Sequence, residues 1–198
     1  MAEEKSGKKY GIYLIFVFVF MLFSFQTYSL ELGNTAEEIK VSSDEMAKIS
    51  LFLSNFTEVR MKKFDVNSVT SSELVDFSME HNYLNNKKTR VKDVGKAGQM
   101  IAREDLEESV KKYFDLELAD YIDANCSGYT FKTYNKHNII YVKAIKVYEM
   151  DNGNFYIKGK LYDVENKSKI FGSVDAIVKK HNFKGKESYV LIEILVKE

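Results

Sequence analysis

His81 is the residue whose type and spacing best suit it to chemistry. It follows Leu74 by seven residues, two helical turns, so it falls on the seam formed by Leu74, Phe77 and Leu84 and points toward the core or a cavity. An imidazole there can act as a general base or ligand once a carboxylate or polar partner arrives from another element. The plainer reading is a histidine hydrogen-bonded within the packing between helices and sheet. A second group is aromatic and cationic: Tyr141, Tyr148, Tyr156, Tyr162 and Tyr189 accompany Lys143, Lys146, Lys158 and Lys160 on neighbouring segments. Of these, Tyr141, Tyr156, Tyr162, Lys158 and Lys160 are the candidate binding residues. Alternating Tyr and Lys can stack on and hydrogen-bond a sugar, a peptide or a partner protein. The same pattern also describes a solvated sheet face, where Tyr has high strand propensity and Lys discourages edge pairing.

Other reactive residues form no pattern. His137 and His181 sit near the ends of expected strands, and no two histidines have metal-ligand spacing. There is no HExxH, no Cys/His cluster, no Gly-rich phosphate loop, no Gly-x-Ser-x-Gly elbow and no EF-hand pattern, so neither a metal nor a cofactor is expected. Cys126 is the only cysteine, which excludes an intrachain disulfide. Its setting, Asp123 to Gly128, reads as a turn, with no nearby His or basic residue to lower the thiol pKa.

The elements that must position these residues follow from periodicity. Ser42 and Glu45 have capping-box spacing, and Met46, Ile49, Leu53 and Phe56 recur as one helical face. Residues 62–68 read as a loop. Thr70 and Glu73 form a second capping box, opening a helix that runs to about Asn86. Residues 90–102 suggest a small hairpin, and Glu104-Asp105 opens a third helix with acidic residues at the positive end of its dipole. From Tyr129 the period changes to two. A short strand near 129–134 and four long ones near 138–150, 154–164, 169–181 and 187–197 are separated by turn signals such as Asp151-Asn152-Gly153-Asn154. Val190, Ile192, Ile194 and Val196 alternate, which predicts one buried face for the last strand. The fold class is therefore α+β: N-terminal helices packed on a long, bent antiparallel sheet of four to six strands.

Composition adds bounds. The 198 residues carry 29 basic and 29 acidic side chains, and 45% are hydrophobic, as in an ordinary globular domain. Zero net charge argues against a nucleic-acid partner. Only three of the 29 basic residues are Arg, and Pro and Trp are absent. Lys, Asn, Ile, Phe and Tyr have AT-rich codons, which suggests a low-GC bacterial source. Lys8 and Lys9 precede an uncharged, strongly apolar run from Tyr10 to Leu30. This run reads either as a signal peptide, with Thr27 and Ser29 at the cleavage site, or as a single membrane anchor. Either places the remainder outside the cytoplasm. The organisation is thus residues 1–30 as signal peptide or anchor, 31–42 as linker and 43–198 as an extracytoplasmic α+β domain. The membrane is a partner through residues 10–30 if the segment is uncleaved.

The order of helix, helix, hairpin, helix and antiparallel meander resembles the nuclear-transport-factor-2-like, or cystatin-like, fold, in which helices and a bent sheet form a cone. The likeness covers roughly residues 43–198 and rests on element order alone. Locally, Leu53-Ser54-Asn55-Phe56-Thr57-Glu58, Glu73-Leu74-Val75-Asp76-Phe77 and His81-Asn82-Tyr83-Leu84-Asn85-Asn86 resemble uncharacterised exported proteins of low-GC Gram-positive bacteria. That resemblance implies export but transfers no functional residue. Three readings follow. The leading one is a non-enzymatic binding module at the cell surface, with a protein or glycan partner. The second is a component of an envelope assembly such as a conjugation or secretion apparatus. The third is a pocket enzyme using His81 as base.

Overall fold

Capping and periodicity account for the helices. The computed structural model describes residues 36–118, 127–132, 139–165 and 169–198. The apolar segment at 10–30, Cys126 and His137 lie outside the described residues. Helix α1 (Ser43–Thr57) starts at Ser42, whose hydroxyl accepts the Glu45 N–H. Helix α2 (Ser71–Asn85) starts at Thr70, where the full capping box forms: Glu73 N–H donates to the Thr70 hydroxyl and Thr70 N–H to the Glu73 carboxylate. Helix α2 ends at Asn85, as its pattern predicts, a short α3 (Lys87–Arg90) follows, and α4 (Arg103–Phe114) ends at Asp115 in the left-handed conformation. Among the described residues no helix is long and apolar enough to cross a membrane.

The strands form two antiparallel sheets. β1 (Glu37–Ile39), β2 (Lys63–Asp65), β6 (Ile140–Glu149), β7 (Phe155–Asp163), β8 (Ile170–Phe183) and β9 (Lys186–Lys197) make a six-stranded sheet in the order β1-β6-β7-β8-β9-β2. β3 (Val91–Asp93), β4 (Gln99–Ala102) and β5 (Gly128–Phe131) make a three-stranded one. The fold is α+β with a large antiparallel sheet, as the sequence predicts. The β8–β9 hairpin turns through Lys184 and Gly185, both at positive φ, the backbone that matches the twist of a tight hairpin.

Four expectations need correction. The linker assigned to 31–42 contains β1, which pairs with β6, and the loop assigned to 62–68 contains β2, which pairs with β9. The short strand near 129–134 is β5, and it joins β4 in the small sheet rather than extending the meander. In β9 the alternation breaks: Ile177 faces Glu193 and Val178 faces Leu191, so Ile192 is a bulge. One extra residue reverses the facing of everything before it. The face of β9 that packs under the helices is therefore Tyr189, Leu191, Ile194 and Val196, while Val190, buried at 3% exposure as expected, and half-buried Ile192 stand outside that cluster.

Three helices fill one side of the large sheet. Ile49, Phe52, Leu53 and Phe56 of α1, Leu74 and Phe77 of α2, and Leu106, Val110, Tyr113 and Phe114 of α4 pack on Val142, Ile157, Leu161, Val174, Ala176, Leu191 and Ile194. A buried polar network ties α2 to α4: Asn82 donates to the Ser109 hydroxyl at 2.8 Å and accepts from Arg90 at 3.2 Å, while Arg90 pairs with Asp105 and Glu108.

Helix α1 also closes a sheet edge. β1 pairs only with residues 147–149 of β6, so the earlier part of that edge needs other partners. Ser54 and Ser50 hydroxyls accept the Val142 and Ala144 N–H groups at 2.9 and 3.0 Å, and Thr57 donates to the Ile140 carbonyl at 2.8 Å. An edge N–H left without an acceptor in a partly buried place costs its full desolvation. Ser54→Ala is accordingly expected to destabilise the protein by about 1–2 kcal/mol, measured by urea denaturation. An unchanged midpoint would show that this edge is satisfied otherwise.

Candidate functional site

A cleft of about 660 Å³ opens between α1, the last turn of α4 and the end of the β8–β9 hairpin. That volume lies within the range of small-molecule sites. One wall is the α1 face bearing Glu45, Lys48, Leu51, Phe52 and Asn55. These residues recur at helical spacing beside the core stripe, so the same helix that buries Phe56 offers a polar margin to the cleft. The second wall is Lys112 and Tyr113 from the last turn of α4. The third is the end of the β8–β9 hairpin, where Lys180 faces Tyr189, His181 faces Ser188 and Asn182 faces Glu187.

Its polar groups are mutually organised. The Tyr189 hydroxyl donates to the Glu45 carboxylate, which also lies 3.6 Å from Lys48. These contacts hold Glu45 below the usual carboxylate range, and burial with the adjacent Glu45 charge pushes the Tyr189 phenol up. Glu45 therefore does not return to cap its own helix, and the first capping box is only half formed. Across the cleft, Lys112 donates to the Tyr113 hydroxyl at 3.1 Å, and Tyr113 donates to the Asn55 side-chain oxygen at 3.2 Å. Burial, aided by the Arg90 charge, lowers the Lys112 pKa, while burial and Glu58 raise that of Tyr113. His181 Nδ1 lies 3.9 Å from Asp115, and its buried Nε2 has no hydrogen-bond partner among the described residues. The cleft thus combines three aromatic rings, one from each wall, three ammonium groups and fixed donors and acceptors. Such a set can orient a small polar ligand that carries a ring or an acidic group.

His81 lies behind this cleft. It is 3% exposed, stacks on Phe77 at 5.5 Å and meets the Tyr113 ring edge-on at 4.7 Å. Its partner comes from the end of α1: Nδ1 is 3.2 Å from the Glu58 carboxylate, which also accepts from Asn85. The Tyr113 ring separates His81 from the cleft lining, and the histidine links helices α1 and α2 within the core.

The tyrosine and lysine candidates come together elsewhere. Tyr141, Tyr156, Tyr162, Lys158 and Lys160 all stand on the face of the large sheet opposite the helices. Tyr141 and Tyr162 stack at 5.6 Å, and Tyr148 and Tyr156 meet at 5.7 Å. None of the sequence candidates, His81 included, lines the cleft, whereas Tyr189 and His181, which the sequence did not single out as site residues, do. Glu45, Lys48, Asn55 and Lys112 went unrecognised as site residues because each belongs to an ordinary helix surface until a distant hairpin closes over it, and Tyr113 because its spacing marks it only as part of the core stripe. Among the described residues no three His, Cys, Asp or Glu side chains converge on a common metal position. Compared with protein-family models, curated proteins and solved structures, the chain shows no significant match to any of the three.

Proposed function

We propose that this chain is an exported or membrane-anchored binding module of the cell surface, with a small polar ligand seated in the cleft between α1, α4 and the β8–β9 hairpin. The observation that carries the reading is the cleft itself: about 660 Å³ of open volume framed by Phe52, Tyr113 and Tyr189 with Lys48, Lys112 and Asn55 among them. Glu45 and Tyr189, and Lys112, Tyr113 and Asn55, are held by one another before any ligand arrives, which lowers the ordering cost of binding. Export is supported by the basic-then-apolar segment ending at Leu30 and by the local resemblance to exported proteins of low-GC Gram-positive bacteria. The order of helices ahead of a long antiparallel meander supports a nuclear-transport-factor-2-like arrangement, in which a ligand occupies the mouth of a cone.

Native mass spectrometry of the full chain with glycan, peptide and metabolite libraries identifies the ligand. Leu51 is 72% exposed at the cleft, so Leu51→Trp adds bulk there without touching the core. The expected result is an unchanged melting temperature and loss of at least about 90% of binding, a change of roughly 1.4 kcal/mol. A ligand that binds the variant as tightly as the parent is not held in this cleft.

A further inference from the structure

The opposite face of the sheet carries a second feature, independent of the cleft. Four successive cross-strand pairs of β6 and β7 face away from the helices: Tyr141 with Tyr162, Lys143 with Lys160, Lys146 with Lys158, and Tyr148 with Tyr156. The two strands thus present the same series, Tyr-Lys-Lys-Tyr, side by side. Like charges directly opposite one another weaken a sheet, and here two such pairs stand in succession. Protection of an edge does not explain Lys158 and Lys160, because β7 is hydrogen-bonded on both sides.

Neutralisation within the fold is also incomplete. Lys146 pairs with Glu38 at 2.8 Å. Asp175, which faces Lys158, is already taken by Lys197 at 2.8 Å and by the Tyr156 hydroxyl at 2.7 Å. Lys158 reaches only the Tyr156 ring, at 5.7 Å from its centroid. Lys143 and Lys160 have no acidic partner among the described residues. All four lysines are exposed. They converge on a patch about 7 Å along the strands and about 5 Å across them, with a tyrosine pair at each end.

We propose that this Tyr-Lys-Lys-Tyr ladder binds an acidic glycan, a chain of sugars bearing carboxylates. Lysines at this spacing suit anionic groups on successive sugar units. Tyr141, Tyr162 and Tyr148, each half-exposed, supply ring surface and phenol hydroxyls for the sugar rings, while buried Tyr156 backs Tyr148 and keeps its hydroxyl on Asp175. The ladder lies within a sheet whose backbone groups are already paired, so an acidic peptide gains no strand-addition hydrogen bonds there.

The test is calorimetric titration of the full chain with oligogalacturonate, in parallel with neutral dextran oligomers, poly-glutamate and oligo-dT. Binding to oligogalacturonate is expected at low salt and is expected to fall about tenfold in the double variant Lys158→Gln, Lys160→Gln. Both side chains are exposed, so the variant should melt with the parent, and Lys143→Gln alone gives a second, smaller loss. No binding to oligogalacturonate overturns the proposal. So does equal binding by the variants, or tighter binding of poly-glutamate or oligo-dT.

Discussion

Phe56→Ala is expected to destabilise the protein by about 3–5 kcal/mol, the usual cost of deleting a fully buried aromatic ring. Phe56 is 0% exposed and is the hub of the helical layer. Its ring lies 5.2 Å from Phe52, 5.1 Å from Phe77, 5.9 Å from Tyr113 and 5.7 Å from Phe114, so residues of α1, α2 and α4 all meet on it. Edge-to-face and offset geometries in such a cluster add to the burial itself. Truncation leaves a cavity that four large rings cannot jointly fill without leaving their rotamers. For a domain of this size the loss corresponds to a fall in Tm of roughly 10–15 °C. Leu51→Ala, on the same helix but exposed, is expected to stay within about 0.5 kcal/mol. Thermal denaturation of the two variants decides the matter, and a small shift for Phe56→Ala would mean that the three helices do not share one core.

That cluster was legible in the sequence. Ile49, Leu53 and Phe56 repeat at helical spacing, Leu74, Phe77 and His81 do so on the next helix, and Leu106, Val110, Tyr113 and Phe114 on the last, because a helix that packs must place apolar residues every third or fourth position. The long strands were legible for the corresponding reason, a period of two between strong turn residues. The three-residue strands β1 and β2 were not. Glu37–Ile39 and Lys63–Asp65 are too short to show a period, and each becomes a strand only because a long partner offers it an open edge. The inward facing of His81 could be read from phase, but its carboxylate partner could not. Glu58 lies beyond the end of a different helix, and only the crossing of α1 and α2 brings it within 3.2 Å. The cleft escaped for the same reason, since its walls are 65 or more residues apart in places and no local pattern marks them. Nor was the Tyr-Lys ladder's register visible: alternation shows which residues share a face of one strand, while the pairing of Lys with Lys depends on where the hairpin closes.

The bulge in β9 gives the sharpest contrast between pattern and structure. Strict alternation from Val190 to Val196 would bury Ile192 and Ile194 alike, and both would then cost about 2–5 kcal/mol on truncation to alanine. The structure separates them. Ile194 is 0% exposed, faces Ala176 on β8 and Phe64 on β2, and belongs to the core cluster. Ile192 occupies the unpaired bulge position, is only half-buried, and contributes its carbonyl to the Val66 N–H at 2.9 Å. That hydrogen bond uses the backbone and survives a change of side chain. Ile194→Ala is therefore expected to cost about 3–4 kcal/mol and Ile192→Ala about 1 kcal/mol. The bulge also sets the cleft, because the reversal it introduces turns Tyr189, rather than Val190, toward Glu45 and the helices. Urea denaturation of the two alanine variants measures the difference directly. Equal losses would restore the unbroken strand, and with it a hairpin end that presents Val190 where the cleft now has its phenol.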